Sequence, residues 1–96
     1  MSYSIILGNK CKSYLKKLKD KQLKRKFIDC IYDDIAINPY VGTQKHGDLA
    51  DYFTLGFNYA GTAYRIAYRI DAKGRIVIIV LAGSHETFYQ TLKRIK

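Results

Sequence analysis

The stretch Ala63-Tyr64-Arg65-Ile66-Ala67-Tyr68-Arg69-Ile70 decides how the rest of the chain is read. Side chains alternate across a β-strand, so Tyr64, Ile66, Tyr68 and Ile70 share one face and Ala63, Arg65, Ala67 and Arg69 the other. The first face is aromatic and β-branched and calls for a cover of helices. The second projects two guanidinium groups over alanines too small to hide them. It reads as an open cationic floor of the kind that binds phosphate.

Both flanks carry turn signals that end in glycine, Asn58-Tyr59-Ala60-Gly61 and Asp71-Ala72-Lys73-Gly74. They predict an antiparallel meander of three strands over residues 49–57, 63–70 and 75–82, with residues 58–62 a rather long turn. Residues 76–82 are apolar on both faces, as in a central strand. Residues 3–7, with an aromatic and two isoleucines, suit a first strand. From Lys10 the period changes. Cys11, Tyr14, Leu15 and Leu18 stand at helical spacing with lysines on the other faces, and after a polar break at residues 19–22 a second, longer helix follows through Leu23, Phe27, Ile28, Ile31 and Ile35. Asn38-Pro39 ends it, because proline lacks an N–H donor and turns the preceding residue away from helix. So short a link makes the two helices an antiparallel hairpin whose apolar stripes cover the Tyr64 and Ile66 face. Beyond Gly83, residues 85–92 read as a short terminal helix, with Ser84 as a cap and His85 and Tyr89 four apart on one side of it. The expected class is α+β: an N-terminal strand and helical hairpin on a small, mainly antiparallel twisted sheet, forming a single domain over residues 1–96.

Charge narrows the partners. Seventeen Lys plus Arg against eight Asp plus Glu give +9, which attracts RNA, DNA, anionic membrane or an acidic protein. Membrane is the weakest of these, since the apolar run at residues 76–83 is far short of the ~20 residues that span a bilayer. The apolar stretch at residues 5–7 is too short for a signal peptide, so the expected location is the cytoplasm. Cys11 and Cys30 are neither a Cys-x-x-Cys pair nor close to a histidine, and read as buried thiols. No metal or cofactor is expected.

No phosphate-cradling glycine loop or Gly-x-Ser-x-Gly elbow is present. The remaining His, Tyr, Arg and Lys suit metal-free RNA cleavage, in which the ribose 2′-hydroxyl attacks phosphorus and the 5′-oxygen leaves. That reaction needs a base, an acid and cations to stabilise the charge on phosphorus. Arg65 fits the last role. His85 is the natural proton carrier, because its ordinary pKa lies near neutrality. Tyr89 can relay a proton or stack on a base, and Lys45 with His46 adds a second basic cluster.

Several short matches, taken in order, make the chain resemble the RelE/ParE toxins of type II toxin–antitoxin systems over nearly its whole length. They are Tyr14-Leu15-Lys16-Lys17-Leu18, Asn38-Pro39 with Gly42, Lys45-His46-Gly47-Asp48-Leu49, Tyr64-Arg65-Ile66-Ala67-Tyr68 and Gly83-Ser84-His85-Glu86-Thr87-Phe88-Tyr89. The resemblance implies a ribosome-dependent endoribonuclease with its site on the open face of the sheet. Arg65, His85, Tyr89 and Lys45 then stand at the family's functional positions. Arg69 and Glu86 are expected to touch substrate, Glu86 also to orient His85, while the base stays open among Lys45, His46 and Glu86. Asp51 stands where the family often has glycine, and Thr54 where it often has arginine. The implied partners are a cognate acidic antitoxin, the ribosome with its mRNA, and operator DNA only through the antitoxin. The alternative is a ParE-like toxin that inhibits DNA gyrase without cutting RNA.

Overall fold

Strand β4 (Thr62–Ile70) occupies the middle of a five-stranded sheet in the computed structural model, which describes residues 3–71 and 73–95. The strand order is β1 (Ser4–Leu7), β5 (Ile76–Ser84), β4, β3 (Phe53–Tyr59) and β2 (Thr43–Gln44). All neighbours are antiparallel except β1 and β5, which run parallel. The sheet is therefore mainly antiparallel, and the fold is α+β as expected.

The turn between β3 and β4 is shorter than the sequence suggested. Asn58 and Tyr59 remain in the strand, and Ala60 (φ 49°) and Gly61 (φ 79°) alone make the turn. Two successive left-handed residues match the twist of the strands they join, which is why so tight a connection works here. After β4, the Asp71 carboxylate accepts from the N–H groups of Arg75 (2.8 Å) and Ile76 (3.1 Å) and closes the second turn. Ala72, within that turn, lies outside the described residues.

Helices α1 (Asn9–Lys17) and α2 (Lys21–Asp29) form the hairpin. The polar break between them is a cap: Asp20 Oδ1 accepts from the N–H groups of Gln22 (3.0 Å) and Leu23 (3.1 Å). The helix expected to run on to Ile35 changes character. Residues Cys30–Ile35 are π-helical, with the Ala36 N–H reaching the Ile31 carbonyl at 2.8 Å, and the wider turn lets Cys30, Ile31, Ile35 and Ala36 all face inward. Phe27, fully buried, sits at the centre of the hairpin–sheet contact with edge-on partners Tyr14, Phe57 and Tyr64 at 4.9–5.7 Å. Ile66 and Tyr68 are buried in the same cluster. Cys11 and Cys30 are free buried thiols, and burial pushes them up to about 11 and about 12.

The second face of β4 departs from the expectation of an open floor. Helix α3 (His85–Ile95) folds back across it, so Ala67 is fully buried beside Leu81 and beneath Leu49, Phe88 and Leu92. The smallness of Ala67 has the opposite consequence from the one inferred: it lets a helix approach the sheet. The floor is thereby split, with Arg65 on one side of an apolar ridge and Arg69 on the other.

Candidate active site

Arg65 owes its setting to cross-strand register. It pairs with Gly56 on β3 and with Gly83 on β5, so neither neighbour has a side chain to crowd the guanidinium. A Cβ on Gly56 would lie 2.7 Å from the Tyr64 carbonyl oxygen and 3.3 Å from Arg65 Cγ, whereas Gly83 faces open space. Two residues further on, the β4–β5 register shifts between Ala67 and Tyr68. That irregularity lies just beyond the end of the site and alters the local twist.

α3 begins directly after β5 and brings His85 and Tyr89 over the same end of the sheet. Their rings stand 6.2 Å apart and nearly perpendicular. Arg65 Nε donates to His85 Nδ1 at 3.1 Å. An imidazole nitrogen that accepts a hydrogen bond must carry a lone pair, so His85 holds its single proton on Nε2 while this contact lasts. Arg65 spends only its Nε on the histidine, leaving the outer fork of the guanidinium available to an anion.

Lys45 arrives from the loop before β3. Tyr68, rooted in the core, donates to the Pro39 carbonyl (2.6 Å) and accepts from the Gly42 N–H (3.1 Å), fastening that loop to the sheet. A Cβ at Gly42 would collide with the Tyr68 hydroxyl and approach the Thr54 carbonyl oxygen to 2.8 Å, so glycine is required where the chain crosses. Beyond it, β2 pairs with β3 and the Lys45 N–H reaches the Tyr52 carbonyl at 2.9 Å. Lys45 Nζ then lies 4.6 Å from the centre of the Tyr89 ring, and Arg65 Cζ 6.0 Å from it. Burial pushes the Tyr89 phenol up. Hydrogen bonding to Lys45 and Thr54 and the charges of Arg65 and Lys45 outweigh that, and its pKa falls below the ordinary tyrosine value.

Four of the residues singled out in the sequence, Lys45, Arg65, His85 and Tyr89, thus meet in one cluster. Three others do not join it. His46 is exposed and does not cap the short helical turn that follows it, and Glu86 is exposed on α3. Arg69 is exposed beyond the ridge, in a different groove. Thr54, which in the sequence is only a departure from a family pattern, is 97% buried beside the Tyr89 phenol. The signal that finds it is the pairing of Thr54 with Ala67, which places it on the face of Arg65. Among the described residues, no three His, Cys, Asp or Glu side chains gather as a metal-binding group, and no helix is long and apolar enough to cross a membrane.

A mixed sheet backed by a helical hairpin, with a cationic His and Tyr cluster on the other face, defines a RelE-like α+β fold. Solved structures share it. A chain of the toxin–antitoxin complex RelBE2 from Mycobacterium tuberculosis superposes with a TM-score of 0.72 at 24% identity, covering 88% of this chain and 100% of that one. A double arginine-to-alanine mutant of the E. coli toxin RelE in the free state gives 0.66 at 20% identity over 100% of both chains. A chain of the archaeal RelE–RelB complex from Pyrococcus horikoshii gives 0.56 at 17%, covering 90% of this chain and 98% of that one. No curated protein matches the sequence. The family model of the ParE-like toxin of type II bacterial toxin–antitoxin systems matches residues 5–93, and the chain belongs to that family.

Proposed function

We propose that this toxin is a ribosome-dependent endoribonuclease that cleaves mRNA without a metal ion and so arrests translation. The observation that carries the reading is the convergence of Lys45, Arg65, His85 and Tyr89 at one end of the sheet. An RNA phosphate entering there meets the free fork of Arg65. As the guanidinium turns onto the phosphoryl oxygens it releases His85 Nδ1, which then takes up a proton. Tyr89, biased toward phenolate by its two cations, accepts the 2′-hydroxyl proton as the 2′-oxygen bonds to phosphorus. The doubly protonated His85 gives a proton to the departing 5′-oxygen, and Arg65 with Lys45 stabilises the charge on phosphorus. The products are a 2′,3′-cyclic phosphate and a 5′-hydroxyl, and exchange with solvent resets both proton carriers.

The lysines and arginine between residues 10 and 26 are all exposed, on the hairpin that backs the other face of the sheet. They suit attachment to ribosomal RNA by counterion release. The same charge suits a cognate acidic antitoxin, through which operator DNA would be engaged, in the cytoplasm. Inducible expression without antitoxin, with RNA ends mapped with and without ribosomes, tests the reading. Cleavage confined to ribosome-bound messages is the expected result, and intact messages with normal growth would overturn it. The matched family's ParE-like description favours a second reading, inhibition of DNA gyrase without RNA cleavage. Growth arrest with intact messages and trapped gyrase would establish that one instead.

A further inference from the structure

We infer that the groove around Arg69 is a second phosphate site, which holds the RNA strand at a phosphodiester away from the one that is cut. The inference rests on the nuclease reading but concerns a separate part of the surface. Arg69 lies on the same face of β4 as Arg65, four residues and roughly 13 Å along the strand. Between them stands the ridge of Leu49, Phe88 and Leu92 over Ala67. Tyr89 packs on that ridge toward Arg65. Tyr52 packs on it too and lines the groove that contains Arg69.

The groove, about 480 Å³, gathers Arg69 from β4, Lys10 from α1 and Tyr52 from the loop before β3 over a floor of Ile78 and Val80. It therefore repeats the arginine, lysine and tyrosine composition of the first site, without a histidine. Among the described residues neither Arg69 nor Lys10 forms an ion pair, and both are exposed. The start of α1 adds to the field. Its N-cap is Gly8, with no side-chain acceptor for the first-turn N–H groups and no acidic residue in that turn. A capping side chain is excluded there because a Cβ on Gly8 would lie 2.8 Å from the Ile79 carbonyl oxygen. Asp51 also lines the groove and opposes an anion. Two cations and the helix terminus outweigh it. Tyr52 provides a ring on which a base can stack, and with no histidine among its described lining residues the groove is a holding site.

Binding of the purified chain to labelled single-stranded RNAs of increasing length, 2′-O-methylated at every position so that no 2′-hydroxyl can attack, tests this. Wild type should gain affinity once the strand is long enough to cross the ridge. Arg69→Ala and Lys10→Ala should each lose that gain, binding the long strand about five-fold more weakly, with the salt slope reduced by about 0.7. Asp51→Asn should bind the long strand more tightly, and Arg65→Ala should weaken short and long strands alike. Wild-type behaviour of Arg69→Ala and Lys10→Ala at every length would overturn the inference. So would an acidic peptide, but no RNA, whose binding depends on these residues. Because the probe cannot be cut, failure of cleavage in the ribosome experiment leaves this measurement standing and refutes the nuclease reading alone.

Discussion

The two faces of β4 take alternate residues of one nine-residue strand and differ in burial and in charge. Beneath the hairpin, Ile66 and Tyr68 are fully buried and surrounded by aromatic rings. On the other face only Ala67 is buried, and the arginines on either side of it remain available to ligands. Stability and the proposed chemistry are thus assigned to opposite sides of a single strand. Substitutions on one face should unfold the protein, and those on the other should disarm it.

The largest effect belongs to the hairpin side. Phe27→Ala removes the ring that Tyr14, Phe57 and Tyr64 all contact, and should cost about 3–5 kcal/mol in denaturant unfolding, a large part of a small domain's stability. On the other face, Arg65→Ala and His85→Ala should each lower cleavage of ribosome-bound message about 100-fold or more, measured by primer extension, with unfolding midpoints close to wild type. An Arg65→Ala protein that unfolded as readily as Phe27→Ala would erase the distinction between the faces.

Tyr68→Phe probes a side chain that serves both. Its ring is core, stacked on Phe53 at 5.8 Å, while its hydroxyl ties down the loop leading to Lys45. Losing the hydroxyl alone leaves the Gly42 N–H and Pro39 carbonyl without this partner and should cost about 1–2 kcal/mol, with a smaller fall in cleavage than Arg65→Ala produces. An unchanged rate would show that Lys45 is positioned by other means. A more local measurement follows Tyr89 itself. Its phenol should ionise at lower pH than an ordinary tyrosine in ultraviolet titration, and Lys45→Met should move it upward by removing one of the groups that favour phenolate. No movement would dismiss Lys45 as the cause.

Periodicity made the hairpin side legible from the sequence, because the spacing of Leu15, Leu23, Phe27 and Ile31 and the alternation along β4 are local patterns. What escaped were consequences of pairing. The two-residue turn at Ala60 and Gly61 depends on register with β4, and the π-helical stretch after Asp29 on how residues 30–36 meet the core. For the candidate site, Arg65, His85, Tyr89 and Lys45 could be named from chemistry and resemblance. Their meeting required α3 to fold back over Ala67, and nothing in the alanine itself announces whether a small residue leaves a surface open or invites a helix. The same fold-back separates Arg69 from Arg65, residues that strand alternation alone treats as equivalent.

The smallest expected effect lies at the far end of the hairpin side, where Tyr59 donates to both Asp20 carboxylate oxygens (3.1 and 3.0 Å) and links the α2 cap to β3. The backbone N–H of Leu23, with help from Tyr59 and the Gln22 N–H and against a smaller effect of burial, holds Asp20 below its ordinary pKa. A carboxyl group depressed on folding contributes stability that is present above its unfolded pKa and is lost as pH falls through the folded value. Asp20→Asn retains an amide oxygen able to cap α2, so stability near neutral pH should change little. Its effect should appear in acid, as a shallower decline in unfolding midpoint below the ordinary carboxylate range. The decline should not vanish, because Asp71, lowered by the N–H groups of Ile76 and Arg75, is a second carboxylate of the same kind. An acid profile identical to wild type would mean that the Asp20 contacts persist when the domain unfolds.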